Sequence, residues 1–247
     1  LSLNALQNYQ ALLAFHLSKK NTAALIDIDL ERLEYAYQIS VRKDKEELYK
    51  NALLQISSKY ANYPEADEAD FLLAQWFNGK STTKNDYKKQ AKSILEKIIA
   101  RKNNSEGNAN AQNLLSTILK PSIHITLENV NVPGIPFRAL IEYENIKKVY
   151  FRIVKSTPEI AEKRQKLSQN EENTFWKFIT SLPADKEWEQ NIPNLNDYEK
   201  HSAEIKIDAL NAGQYYIIAS LNKNFNFDNN ILLSQINHIS NLAYVYL

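Results

Sequence analysis

The stretch Ile118-Leu119-Lys120-Pro121-Ser122-Ile123-His124-Ile125-Thr126-Leu127 is where the chain changes character. Up to Pro121 the apolar residues return every three or four positions, and beyond it they return every second position. Ile123, Ile125 and Leu127 fall on one side of an extended strand, with His124 and Thr126 on the other. This switch predicts two domains in the 247 residues, a helical part over 1–120 and a β-rich part over 121–247. The fold class expected is therefore α+β and multidomain.

Upstream of the switch, six segments carry helical periodicity. Their stripes are Leu6, Tyr9, Leu13 and Leu17; Ile26, Leu30, Leu33 and Tyr37; and Tyr49, Ala52, Ile56 and Tyr60. Ala66, Ala69, Leu73 and Trp76 follow, then Tyr87, Ala91, Ile94 and Ile98, and finally Ala111, Leu114 or Leu115, and Ile118. Steps of three and four place each set on one face that must find a partner, and the short polar breaks favour antiparallel neighbours. Pro64, with Glu65, Asp67 and Glu68, marks the start of the fourth helix, where the dipole favours acids. At an offset of 42 residues Leu53 pairs with Leu95, Ile56 with Ile98, Ala69 with Ala111, Leu72 with Leu114 and Leu73 with Leu115. Small residues at Ala66, Ala69 and Ala74 suit close stacking of a tetratricopeptide-like helical-hairpin array. That repeat usually has about 34 residues, so Gly79 to Asn85 would hold the excess.

Downstream, Val132-Pro133-Gly134-Ile135-Pro136 is turn material and cannot be a central strand. Strands are expected at 137–143, 148–154, 203–207, 215–221, 231–236 and 242–247, the pattern of an antiparallel sandwich. In the turn Leu210-Asn211-Ala212-Gly213-Gln214-Tyr215, Gly213 permits a backbone conformation that other residues resist. Tyr215 is placed like the tyrosine that pins a corner in immunoglobulin-like sandwiches. Residues 157–202 interrupt the strand rhythm, and Phe175, Phe178, Ile179 and Leu182 have helical spacing, with Trp176 and Trp188 adding bulk. This predicts a helical insertion.

The chemistry-bearing residues suggest no active site. Thirty basic and 29 acidic residues are interspersed for a net charge of +1, so no basic stripe exists to follow a nucleic-acid backbone. Apolar runs such as Ala11-Leu12-Leu13-Ala14-Phe15 are far too short to span a bilayer. The absence of cysteine removes thiol nucleophiles, thiolate metal sites and disulfides. His16, His124, His201 and His238 are scattered without metal spacing, and His16 fits a cation near a helix C-terminus. Asp27, Asp29, Glu31 and Glu34 share one helix, where a solvated face with acids near the helix start explains them better than paired catalytic carboxylates. Asp228-Asn229-Asn230 lacks the spaced acids and glycine of a calcium loop and reads as a turn. The four glycines form no phosphate cradle, and no nucleophile elbow is present. Trp76, Trp176 and Trp188 read as core or interface anchors. No catalytic, cofactor-binding or metal-ligating residue is assigned, no cofactor is expected, and the chain is expected not to be an enzyme.

Several stretches together resemble the N-terminal region of bacterial alpha-2-macroglobulin-like proteins of the Bacteroidetes type. They are Leu12-Leu13-Ala14-Phe15-His16-Leu17, Asp27-Ile28-Asp29-Leu30-Glu31-Arg32-Leu33 and Asp44-Lys45-Glu46-Glu47-Leu48-Tyr49 in the helical half. In the β half they are Pro133-Gly134-Ile135-Pro136-Phe137-Arg138, Val149-Tyr150-Phe151-Arg152, Asp197-Tyr198, His201-Ser202 and the Leu210 to Tyr215 turn. The resemblance implies a macroglobulin-type sandwich within a string of domains that encloses a protease after it cuts a bait segment. It implies target proteases and other domains of the same chain as partners. The implied location is the periplasm or cell envelope, with a lipid anchor in the full-length protein. The thioester Cys and Gln of many members are not in this segment, and the helical front departs from the animal proteins. The apolar close, Leu242-Ala243-Tyr244-Val245-Tyr246-Leu247, suggests that the natural chain continues. The alternatives are a tetratricopeptide-like adaptor that holds a peptide or protein in its helical groove, and an accessory region of an enzyme.

Overall fold

The computed structural model describes residues 2–80, 86–166 and 172–242. Among these the chain is mixed α+β, with eight helices and two sheets. It divides into two compact units. One holds Leu1–Leu119 with Asp197–Glu199, and the other holds Lys120–Asn196 with Lys200–Leu247.

The helical unit contains α1 (Ser2–Ser18), α2 (Thr22–Ile39), α3 (Lys45–Lys59), α4 (Ala66–Gly79), α5 (Tyr87–Ala100) and α6 (Glu106–Leu119). The stripes of α2 to α6 supply its interior, whereas the α1 stripe of Leu6, Tyr9, Leu13 and Leu17 joins neither core cluster and leaves Leu17 66% exposed. Ile26 and Leu30 of α2 meet Tyr49, Leu53 and Ile56 of α3 and Ala69, Leu72 and Leu73 of α4 in one cluster. Ala74 of α4 joins Ala91, Leu95 and Ile98 of α5 and Ala111 and Ile118 of α6 in a second. Helix α4 thus serves both clusters, and its small residues Ala66, Ala69 and Ala74, all fully buried, let neighbouring helices approach.

At the start of α4, Asp67 does more than complement a dipole. It is 1% exposed, and accepts from Arg101 Nη1, Asn103 Nδ2 (2.7 Å) and Ser105 Oγ (2.8 Å). Arg101 also pairs with Asp70 (2.7 Å), whose carboxylate accepts from Ser57 Oγ (2.5 Å). One buried acid therefore ties the α5–α6 connection to α4, and every donor it meets is a side chain its charge strengthens. Asp197–Glu199 also belongs to this unit, with Lys88 Nζ donating to the Tyr198 carbonyl (2.8 Å) and pairing with Glu199 (3.4 Å).

The second unit contains β1 (Ser122–Leu127), β2 (Val130–Asn131), β3 (Phe137–Glu144), β4 (Lys148–Lys155), α7 (Pro158–Lys166), α8 (Glu172–Ser181), β5 (Lys186–Asn191), β6 (His201–Ile207), β7 (Gly213–Ser220) and β8 (Leu232–Ile239). One sheet has the order β1-β3-β6 and the other β2-β8-β7-β4-β5. The first is antiparallel throughout. The second is mixed, because the short β2 runs parallel to β8, where a purely antiparallel arrangement was expected.

Alternation builds the shared core. Ile125 and Leu127 of β1, Ala139 and Ile141 of β3, and Ile205 and Ile207 of β6 pack with Phe151 and Ile153 of β4, Ile217 and Ala219 of β7, and Ile239 of β8. The opposite face of the five-stranded sheet is also covered: Val154, Tyr216 and Ile218 pack with Ile160 of α7 and Phe175 and Ile179 of α8. The unit has three layers, sheet, sheet and helix pair, which explains the unbroken apolar run Tyr215-Tyr216-Ile217-Ile218-Ala219 in β7.

Two expectations need revision. The helical part of the insertion ends at Ser181, and Lys186–Asn191 is an edge strand, β5, paired with β4. Its one large apolar side chain, Trp188, stacks on Phe151 across the ladder (centroids 4.9 Å apart, 16° between planes), while the charged residues either side stay solvated. Strand β8 runs to Ile239 and not 236, since its interior polar residue Asn237 is buried and donates to the Glu128 carbonyl (2.5 Å). The strand expected at 242–247 lies, apart from Leu242, outside the described residues, as does most of the Gly79 to Asn85 connection.

Candidate functional site

The helical unit carries a recess of about 290 Å³ lined from three helices by Glu34, Tyr37, Tyr49, Leu72 and Trp76, among others. The helical stripes deliver the aromatics: Tyr37 and Trp76 close sets that begin in the core, and Tyr49, itself buried, opens the set of α3. Tyr37 and Tyr49 stack with centroids 4.4 Å apart and 15° between planes. Their other side borders a smaller recess with Leu33, Leu48 and Lys45, so this pair is the wall between two hollows.

Glu46 holds the wall in place. Its carboxylate accepts from Tyr37 Oη (2.9 Å) and Trp76 Nε1 (2.9 Å) and pairs with Lys80 (2.8 Å). The Lys80 bond holds the Glu46 carboxyl below the usual range, with Trp76 and Tyr37 adding to it against some burial. Burial pushes the Tyr37 hydroxyl up, and its bond to Glu46 pushes it further. With its oxygens engaged by three donors, Glu46 is an ionised brace and not a proton carrier. Lys45 lies over the Tyr37 ring (5.2 Å) and Lys50 and Lys80 over Trp76 (5.9 and 5.6 Å), typical cation–π distances.

Glu34, at the recess, belongs to a set of carboxylates with no cation partner among the described residues: Asp27, Glu31 and Glu34 on α2, Glu65 and Glu68 at the start of α4, and Glu106 on α6. Burial raises Glu68, and Glu106, Glu34 and Asp27 raise it further, although Asn110 donates to it (3.3 Å). Burial and then Glu65, Glu106 and Glu31 raise Asp27, and burial with Glu31 raises Glu34. The reading of the α2 acids is corrected here. Helix α2 starts at Thr22, capped by Asn21 accepting from the Ala24 N–H (3.2 Å), so none of them lies in the first turn. Among the described residues, Asp29 alone of the four is paired, with Arg32 at 2.6 Å.

The remaining residues singled out in the sequence do not converge. His16 is in the last turn of α1, while His124, His201 and His238 stand on β1, β6 and β8. Among the described residues no group of three His, Cys, Asp or Glu side chains has the arrangement of a metal site, and no helix is long and apolar enough to cross a membrane. Asp228-Asn229-Asn230 is a turn with Asn229 at φ +48°. Trp76, Trp176 and Trp188 each pack on a separate core cluster. Sequence reading found the Tyr37, Tyr49 and Trp76 stripes but not Glu46, whose partners are 9, 30 and 34 positions away. No family model matches the chain, and no curated protein matches it.

Proposed function

We propose that the chain is a non-catalytic structural segment of an alpha-2-macroglobulin-like, protease-trapping protein of the cell envelope. The observation that carries this reading is the corner at the start of β7. The Tyr215 hydroxyl donates to the Asn211 carbonyl (3.1 Å), four residues upstream, within a unit whose two sheets share one core. Such a corner is a recurrent device of immunoglobulin-like sandwiches, and it falls in one of the stretches that resemble the macroglobulin proteins. Target proteases and further domains of the same chain would be the partners, and the helical unit would be a tetratricopeptide-like array in front of the first sandwich. The test uses the full-length protein mixed with a broad-specificity protease. Trapping leaves cleavage of a small chromogenic peptide intact and suppresses cleavage of a large protein substrate. Undiminished cleavage of the large substrate at excess full-length protein rejects the trap.

A second reading, an adaptor that holds a peptide or protein partner in its helical groove, is favoured by the aromatic recess and by Glu34 at its edge, which has no cation partner among the described residues. The Trp76→Ala variant separates the two. It leaves protease enclosure unchanged if the helical unit is only structural, and it abolishes partner capture if the recess is the binding surface.

A further inference from the structure

A cavity of about 540 Å³ opens between α8 and the loop joining β7 to β8. Its size falls within the range of small-ligand sites, roughly 300–1,000 Å³. The loop, Leu221 to Ile231, is asparagine-rich and fixed by its own amides. Asn230 Oδ1 accepts from the Leu221 and Asn222 N–H groups (2.9 and 3.2 Å). Its Nδ2 donates to Ser220 Oγ (2.9 Å) and the Asn226 carbonyl (2.6 Å). Asn222 Nδ2 donates to Asn226 Oδ1 (2.5 Å), which leaves the Asn226 NH₂ as an available donor.

Phe225 anchors the loop from below. It is buried with the α7–α8 cluster, lies under the Arg152 guanidinium (4.6 Å), and takes φ +53°. A bulky aromatic in the left-handed region is costly and persists only where its surroundings over-determine it. The result is a rigid rim whose other aromatic, Phe227, stays 38% exposed and belongs to none of the core clusters.

The lining chemistry selects a class of ligand. Asn173, Asn224 and Asn226 offer amides that both donate and accept. Thr180 and Ser181 donate their hydroxyls to helix carbonyls, at Trp176 (2.8 Å) and Phe178 (2.7 Å), which leaves their oxygens with acceptor capacity in the lining. One Lys177 and one Asp228 balance each other, which favours neither anions nor cations. Dense paired donors and acceptors, no net charge and a bare phenyl face match a neutral polyhydroxylated ring, with hydroxyls for the amides and an apolar C–H face for the phenyl ring.

We propose that this cavity binds a neutral carbohydrate, one sugar ring resting on Phe227 and its hydroxyls held by Asn173, Asn224 and Asn226. The site is independent of protease trapping and of the helical recess. The experiment is saturation-transfer NMR on the 247-residue chain with maltose, cellobiose, lactose and diacetylchitobiose at millimolar concentration. At least one sugar should receive saturation, and Phe227→Ala and Asn173→Ala should each weaken that binding about tenfold, the loss expected for one ring contact or one hydrogen bond of about 1.4 kcal/mol. Gln55→Ala, in the other unit, should leave it unchanged. Both cavity substitutions are at exposed side chains and should keep the wild-type melt. Should Phe227→Ala fail to fold, Asn173→Ala decides alone. Absence of saturation on all four sugars, or binding that survives the cavity substitutions, overturns the proposal.

Discussion

Gly107, the second residue of α6, lies directly against the backbone of Asp67, the second residue of α4. A Cβ at position 107 would stand 2.4 Å from the Asp67 carbonyl carbon and 2.5 Å from the Glu68 nitrogen. Both are backbone atoms, so relief requires the helices to part. Gly107→Ala should lower unfolding stability by roughly 2–3 kcal/mol, despite the gain in helix propensity. Urea unfolding measures it, and a loss near zero would mean that α4 and α6 separate freely.

Asp67→Ala should cost about 3 kcal/mol, because Asn103, Ser105 and Arg101 lose a common acceptor at a buried position. Combining it with Arg101→Ala should cost less than the two separate losses together, since both substitutions break one network. Strict additivity in the double-mutant cycle would show that the knot does not act as a unit.

Asp27, Glu34 and Glu68 have pKa values raised by burial first and neighbouring carboxylates second. In the interval between the unfolded and folded values the native state holds more protons, so their contribution to stability falls as pH rises. Glu34→Gln and Glu68→Gln should therefore raise stability at neutral pH, by roughly 0.5 kcal/mol each. That gain should vanish below the ordinary carboxylate range, where the wild type is also neutral. Glu46, lowered by Lys80, has the opposite sign: its contribution is present above its unfolded value and is lost as pH falls through the folded one. Urea midpoints of wild type and variants across this range test both signs.

Tyr215→Phe should cost about 1 kcal/mol by removing the bond to Asn211. Gly213→Ala should cost at least as much, because Gly213 holds φ +154° and a Cβ there would lie 3.2 Å from Lys155 Cε. If either change is neutral, the corner is an ordinary turn.

The helices and most strands were legible because a buried face imposes its period on the sequence. The Ile123 and Ile125 alternation and the Leu53, Ile56 and Leu95, Ile98 stripes became core. What escaped depends on partners distant in the chain. Lys186-Glu187-Trp188-Glu189-Gln190-Asn191 alternates, but with one apolar residue its strand character rests on Phe151, 37 positions earlier. Asp67 looked like a helix-start acid because its donors at 101, 103 and 105 belong to another helix connection. The run Tyr215 to Ala219 signalled a strand, but the second layer behind it came from α7 and α8, whose stripes are short. In the aromatic recess the rings were readable and the carboxylate joining them was not.

The parallel pairing of β2 with β8 has a consequence for synthesis. Val130 and Asn131 find their ladder partners at His238 and Ile239, so a nascent chain must emerge from the ribosome through β8, its last described strand, before this sheet is complete. Until then β7, apolar on both faces, has one open edge along the whole length that β8 later covers. Such an edge recruits other strands, and a polypeptide released at residue 230 should aggregate where one released after 239 should not. The second unit therefore depends on β8 for solubility as well as for closure.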